Sequence, residues 1–141
     1  MGTIGAKIIG TEGTMPTGFN VETGSKLSPK LLSYAPILLK FLKTEREQRG
    51  RGPGNSLLSI EIESHLSTFG RDVKGSDVRA MVNYLRRNKY PVGSNADGYF
   101  LAINRQELDF TIQHMQERIS SIRAALNGLE GSFDDQEEVL L

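Results

Sequence analysis

Residues 77–102 read DVRAMVNYLRRNKYPVGSNADGYFLA, and their periodicity changes partway. Val78, Met81, Val82 and Leu85 recur at helical spacing, which gives one helix face an apolar surface. Pro91 lacks a backbone N–H and disfavours helix in the residue before it, so that helix must end upstream of it. Beyond it, YPVGS and GYFLAI are short extended runs around Asn95-Ala96-Asp97-Gly98, and Asp-Gly is a dipeptide that tight hairpin turns prefer. At the other end, Ser76 is a candidate N-cap and Asp77 complements the positive end of the helix dipole. The stretch predicts a helix that passes directly into a hairpin.

The flanking sequence supplies more helices. A first helix is expected from Ser33, with Pro36 tolerated in its first turn and Tyr34, Ile37, Leu38, Phe41 and Leu42 as its apolar stripe. KTEREQR reads as its solvated end, and GRGPGN as a loop that contributes Arg49 and Arg51. In SLLSIEIESHLSTFG the first residues suit a short strand. Ile60, Ile62, Leu66 and Phe69 then suit a second short helix ending at Gly70. After the hairpin, Asn104 is an N-cap candidate with Glu107 in capping-box position. Leu108, Ile112, Met115, Ile119, Ile122, Leu126 and Leu129 follow at alternating spacings of four and three, a heptad seam.

The expected organisation is a flexible arm over residues 1–32 (with a possible short strand around Lys7 and Ile9), a folded domain over 33–104, a long helix over 105–130 and an acidic disordered tail over 131–141. The order helix, short strand, helix, helix, strand, strand is that of a helix-turn-helix with a two-stranded wing. The expected fold class is therefore mainly α (α+β): a winged helix-turn-helix with a short β-hairpin wing and a long C-terminal amphipathic helix.

Composition narrows the function classes. The chain has 141 residues, no cysteine and a formal net charge of zero. Disulfides and cysteine metal sites are excluded, and the longest apolar run is too short to span a bilayer. Neither a membrane nor a targeting segment is expected, and the reading is a cytoplasmic protein. The zero charge hides segregation: eleven Lys/Arg against seven Asp/Glu from residue 34 to 104, then three against eight from Arg105 onward. His65 and His114 lack metal-ligand spacing, Glu61 and Glu63 fall on different helix faces, and no phosphate-loop or dinucleotide pattern occurs. No enzyme activity, cofactor or metal is expected.

The chain also resembles the small winged-helix proteins encoded by bacteriophages and prophages. The likeness rests on VRAMVNYLRRNKYPVGS running into GYFLA, with Val78, Arg79, Val82, Asn83, Leu85, Arg86, Pro91, Val92, Ser94, Gly98, Tyr99 and Ala102 as matching residues. It spans roughly residues 34–128. Where such proteins commonly carry a glycine before the first wing strand, this chain has Asn88-Lys89-Tyr90. That departure predicts a longer or differently shaped connection. The resemblance implies a DNA-binding protein acting in the cytoplasm of a bacterial host, as a regulator or a replication accessory.

The residues themselves agree with that implication. Opposite the apolar arc, the third helix presents Ser76, Arg79, Ala80, Asn83 and Arg87, with Arg86 at the border. Arg suits guanine, Asn suits adenine, and small residues permit close approach. Ser76, Arg79, Asn83 and Arg87 are expected to face the major groove of duplex DNA, and Arg71, Lys74 and Arg86 to contact phosphates. A merely solvated helix face would have the same composition. The wing is a weak gripper, because Asp97 would repel phosphate; Ser94 and Asn95 suit turn chemistry and Arg105 can compensate. The seam Leu108, Ile112, Met115, Ile119, Ile122 and Leu126 has two readings, fold-back on the domain or homodimerisation, of which the second would present two recognition helices. Asp109, Arg118 and Arg123 flank it. The acidic tail is either a solubilising end or a docking peptide for a protein partner. An interaction module that binds no nucleic acid is the competing function class.

Overall fold

The computed structural model describes residues 27–134. These fall into two compact units, one ending at Leu108 and the other beginning at Asp109. The first unit contains α1 (Pro29–Arg49), a 3-10 turn (Pro53–Asn55), α2 (Ser59–Ser67), α3 (Gly75–Arg87), β1 (Val92–Ser94), β2 (Tyr99–Leu101) and a second 3-10 turn (Arg105–Leu108). The second contains α4 (Asp109–Glu130). The described chain is thus mostly helical with one small antiparallel hairpin, an α+β fold. Of the arm expected over residues 1–32, residues 1–26 lie outside the described residues and residues 29–32 belong to α1; of the tail expected over 131–141, residues 135–141 lie outside them.

α1 begins at Pro29, a full turn before the expected Ser33. Ser28 is the N-cap, its hydroxyl accepting the Leu31 N–H at 3.2 Å, and Pro29 occupies a first-turn position where its missing donor costs nothing. Pro36 therefore sits inside the helix rather than at its start. An interior proline removes a backbone bond. Leu31 and Leu32 in the added turn pack against the core and offset that loss.

The core of the first unit joins Ala35, Leu38 and Leu42 of α1 to Ile62 and Leu66 of α2 and to Val78, Met81, Val82 and Leu85 of α3. All four α3 residues expected from their spacing are buried. Burial of such side chains stabilises by about 1.5–3 kcal/mol each. In α2 only half of the expected stripe is inside: Ile60 is 60% exposed and Phe69 51%. Ile62 and Leu66 share a face one turn apart, Ile60 points off it, and Phe69 lies past the end of the helix at Ser67. Gly70 follows in left-handed conformation, as expected of a helix-terminating glycine.

The start of α3 corrects another expectation. Lys74, not Ser76, holds the N-cap position; its N–H donates to the Asp77 carboxylate at 2.9 Å. Ser76 is inside the first turn and exposed. At the other end the Lys89 N–H bonds to the Arg86 carbonyl and the Tyr90 N–H to the Leu85 carbonyl, the paired bonds of a Schellman motif. Lys89 takes the left-handed conformation, φ 71°, that glycine usually supplies. Asn88-Lys89-Tyr90 thus form a compact connection from α3 to β1.

β1 and β2 pair antiparallel with Val92 opposite Leu101, Gly93 opposite Phe100 and Ser94 opposite Tyr99. The short strand expected after the first loop is a single bridge residue, Leu57, which exchanges backbone hydrogen bonds with Tyr99 at 2.7 and 2.8 Å. Gly98 permits this approach, since a Cβ there would collide with the Leu57 carbonyl. Asn95 closes the turn: its side-chain oxygen accepts from the Asp97 and Gly98 N–H groups and from Ser56, while its amide donates to the Pro53 carbonyl.

α4 is preceded by 3-10 geometry rather than starting as α-helix at Asn104. Asn104 accepts the Glu107 N–H at 3.0 Å, and Glu107 accepts the Ile103 N–H. Gly128 lies within α4 and Gly131 just beyond it. Along the seam, Leu108 and Ile112 are partly buried, whereas Met115, Ile119, Ile122, Leu126 and Leu129 are exposed.

Candidate nucleic-acid interface

The outer face of α3 follows from the burial of the inner one. Ser76, Arg79 and Asn83 are exposed and, at spacings of three and four, share one face. Arg87 continues that face one turn later and is partly buried, as is Ala80. Arg79 reaches back toward the start of its helix. Its Nη1 lies 3.9 Å, and the Glu63 Oε2 of α2 3.7 Å, from where a Cβ on Gly75 would stand. Glu63 in turn accepts a 2.8 Å hydrogen bond from the Ser59 hydroxyl. A carboxylate therefore neighbours Arg79 without forming an ion pair with it. Glu63 comes from a separate helix, and no local pattern could have assigned it to this face.

Lys74 is exposed at the mouth of α3, and Arg71 is partly buried in the connection from α2. Arg71 donates to the Phe69 carbonyl at 2.7 Å and carries its guanidinium 5.6 Å from the centre of the Tyr34 ring. Lys30 approaches the same ring at 6.0 Å. Arg86 behaves differently from its expected phosphate-contacting role. Its Nε donates to the Val92 carbonyl at 2.7 Å and its Nη2 to the Ser94 hydroxyl at 3.0 Å, which ties the end of α3 to β1. Burial lowers its pKa, partly opposed by Tyr99. The guanidinium works as a strut inside the fold, and the wing strand it holds could not be placed from α3 alone.

Other cations are paired with carboxylates of the chain. Arg46 bonds Glu107 at 2.6 Å, Arg49 pairs with Glu45 at 3.2 Å, and Arg51 bridges Glu61 at 2.8 Å and Glu45 at 3.8 Å. Among the described residues Lys30, Arg71, Lys74 and Arg79 enter no ion pair. Arg105 is likewise exposed and unpaired, beside a wing whose Asn95 is fully engaged in the turn.

A second surface feature escaped the sequence reading. An open groove of about 470 Å³ runs between α1 and α2, lined by Ile37, Phe41, His65 and Phe69 with Lys40 and Arg49 among its polar residues. His65 stacks on Phe41 at 3.8 Å and meets Phe69 edge-on at 5.2 Å. Burial lowers the His65 pKa, with Glu45 acting in the opposite direction. The histidine is an aromatic boundary residue. His114 lies beside Phe110 in α4.

Among the described residues, no group of three or more His, Cys, Asp or Glu is placed to hold a metal, and no helix is long and apolar enough to cross a membrane. Comparisons with protein-family models, with curated proteins and with solved structures return no match to this chain.

Proposed function

We propose that this chain is a winged-helix protein of the bacteriophage type that binds duplex DNA, without catalytic activity, as a dimer. The observation that carries the reading is the exposed face of Ser76, Arg79 and Asn83 on α3, bordered at its start by Arg71 and Lys74, cations that enter no ion pair among the described residues. Arginine and asparagine can read base edges bidentately, and cations beside them would fix the register on the phosphates. The Leu57 bridge supports the winged-helix assignment, because it supplies the third, short strand that this topology places between its first two helices. Arg86 leaves the proposed phosphate set and joins the wing's support. Arg87 stays in the groove-facing set on the strength of its position. A role as regulator or replication accessory in the cytoplasm of a bacterial host follows from the resemblance alone.

The dimer rests on the seam of α4, where Met115, Ile119, Ile122 and Leu126 are 41–63% exposed. A seven-residue apolar repeat left open to water is what a second copy of the helix covers in a coiled coil.

The test is binding to random-sequence duplex DNA as a function of salt, for the wild type and for Arg79→Ala/Arg87→Ala. Non-specific phosphate attraction is strongest at low salt, so absence of wild-type binding there refutes DNA binding. Sedimentation of the wild type and of Ile119→Asp tests the seam: a wild type already monomeric at roughly tens of micromolar makes the seam something other than a dimer interface.

The groove between α1 and α2 favours a second reading, a winged-helix module that docks a protein. Its half-exposed Phe69, lining the groove with Ile37, Phe41 and His65, is the kind of aromatic and aliphatic surface that protein partners cover. The acidic segment after Asp134 remains in either reading a solubilising end or a docking peptide.

A further inference from the structure

We infer that Lys30, Tyr34 and Arg71 form a phosphate clasp that grips the DNA backbone with residues of α1, beyond the α3 face. The inference rests on the DNA-binding reading above and adds a contact that it does not contain. Lys30 and Arg71 come from distant parts of the sequence, yet both bring their charge to a single ring, at 6.0 and 5.6 Å from its centre. The ring face attracts cations and holds them without neutralising them. Tyr34 is thus a positioning residue whose ring gathers two full positive charges.

Among the described residues, the neighbourhood of the ring carries two cations and no ion pair. Lys30 lies in the first turn of α1, whose backbone dipole is itself positive, and that turn has no acidic residue. Neither Lys30 nor Arg71 has an ion-pair partner among the described residues, although the chain provides partners for Arg46, Arg49 and Arg51. Asp72, the nearest carboxylate in sequence to Arg71, accepts from the Ser67 hydroxyl instead. Two cations and a helix N-terminus of the same sign repel one another; a phosphodiester bound beside them would relieve that repulsion. From Arg71 the chain runs through Asp72, held by the Ser67 hydroxyl, to exposed Lys74 at the mouth of α3, so cations stand both at the clasp and at the start of the α3 face.

The test measures affinity for random-sequence duplex across a salt series with the full chain. Lys30→Gln and Arg71→Gln should each weaken binding roughly three- to ten-fold at moderate salt and reduce the slope of log K against log salt by about 0.9, independently of DNA sequence. Arg49→Gln, which removes a paired cation of the same helix, should leave the slope unchanged. Tyr34→Phe should keep wild-type affinity, and Tyr34→Leu should lose a few-fold, roughly the value of a cation–π contact. Melting curves show whether each variant is folded.

Wild-type slopes in folded Lys30→Gln and Arg71→Gln overturn the clasp while leaving DNA binding intact. An equal drop in Arg49→Gln also overturns it, because the effect would then be bulk charge. Failure of the wild type to bind duplex at low salt overturns both this inference and the reading beneath it.

Discussion

The two ends of α1 handle positive charge in opposite ways. At the C-terminal end Arg46 is nearly enclosed, 14% exposed, against Glu107, and just past the helix Arg51 holds Glu61 together with the Asn55 and Ser56 carbonyls. At the N-terminal end Lys30 and Arg71 both approach Tyr34, and among the described residues neither has a carboxylate partner. Each of these cations counts alike in the chain's formal net charge of zero. A cation bonded on several sides stabilises the fold and is silent toward partners, whereas an open one adds little to stability and stays available to an anion. Where charge is neutralised matters more than how much there is.

The contrast is broken most severely at Arg46. Arg46→Met would leave the Glu107 carboxylate partly buried without its partner and should cost about 3 kcal/mol of stability, read by chemical denaturation. The DNA salt slope should not change; a fall in slope would show that the paired end also meets DNA.

Next in size is Glu107→Gln, which should cost about 2 kcal/mol at neutral pH, since it exchanges a charged hydrogen bond for a neutral one. Burial raises the Glu107 pKa, but the Ile103 N–H and Arg46 outweigh it and leave the group below the ordinary glutamate range. The Leu58 N–H first, and Arg51 second, hold Glu61 low as well. A pKa depressed by folding means that the unfolded chain binds protons first as pH falls. The stabilisation is therefore complete above about pH 4.3, the ordinary glutamate value, and is lost as pH falls through the folded values. Thermal midpoints of the wild type should decline below that pH. Those of Glu107→Gln should start lower and decline less, and parallel curves would contradict the assignment.

A smaller effect, of opposite sign, belongs to an open cation that strains the backbone. Lys89→Gly should raise stability by about 0.5–1 kcal/mol, because glycine adopts the left-handed conformation without a Cβ penalty but loses more freedom on folding. A loss of stability would mean that the lysine side chain contributes more than its conformation costs. Smallest of all, Arg79→Ala should leave stability within about 0.5 kcal/mol of wild type, as expected for an exposed side chain outside any ion pair. A larger loss would place Arg79 with the paired set, through Glu63.

What the sequence made legible was local. The spacing of Val78, Met81, Val82 and Leu85 found α3 and its buried face, and Asn95-Ala96-Asp97-Gly98 found the turn, because each depends on neighbours within a helical turn or a hairpin. Errors arose where a distant contact overrode a local rule. Pro36 read as a helix start, yet the Ser28 cap and the packing of Leu31 and Leu32 carry α1 past it. Arg86 read as a surface cation because its acceptors lie across the turn on β1. The Tyr34 clasp, the Glu107 bond to Arg46 and the Phe41–His65–Phe69 groove all join segments far apart in sequence, which no periodicity reports.

The Leu57 bridge has a consequence for how the hairpin opens. Strands of three residues are marginal alone, and a long loop must close before Leu57 can reach Tyr99. The bridge and the Asn95 bonds to Pro53 and Ser56 fasten the hairpin to the loop between α1 and α2. The two segments then fluctuate as one cooperative unit, and the Leu57 and Tyr99 amides should exchange with solvent hydrogen at a common rate set by that shared opening.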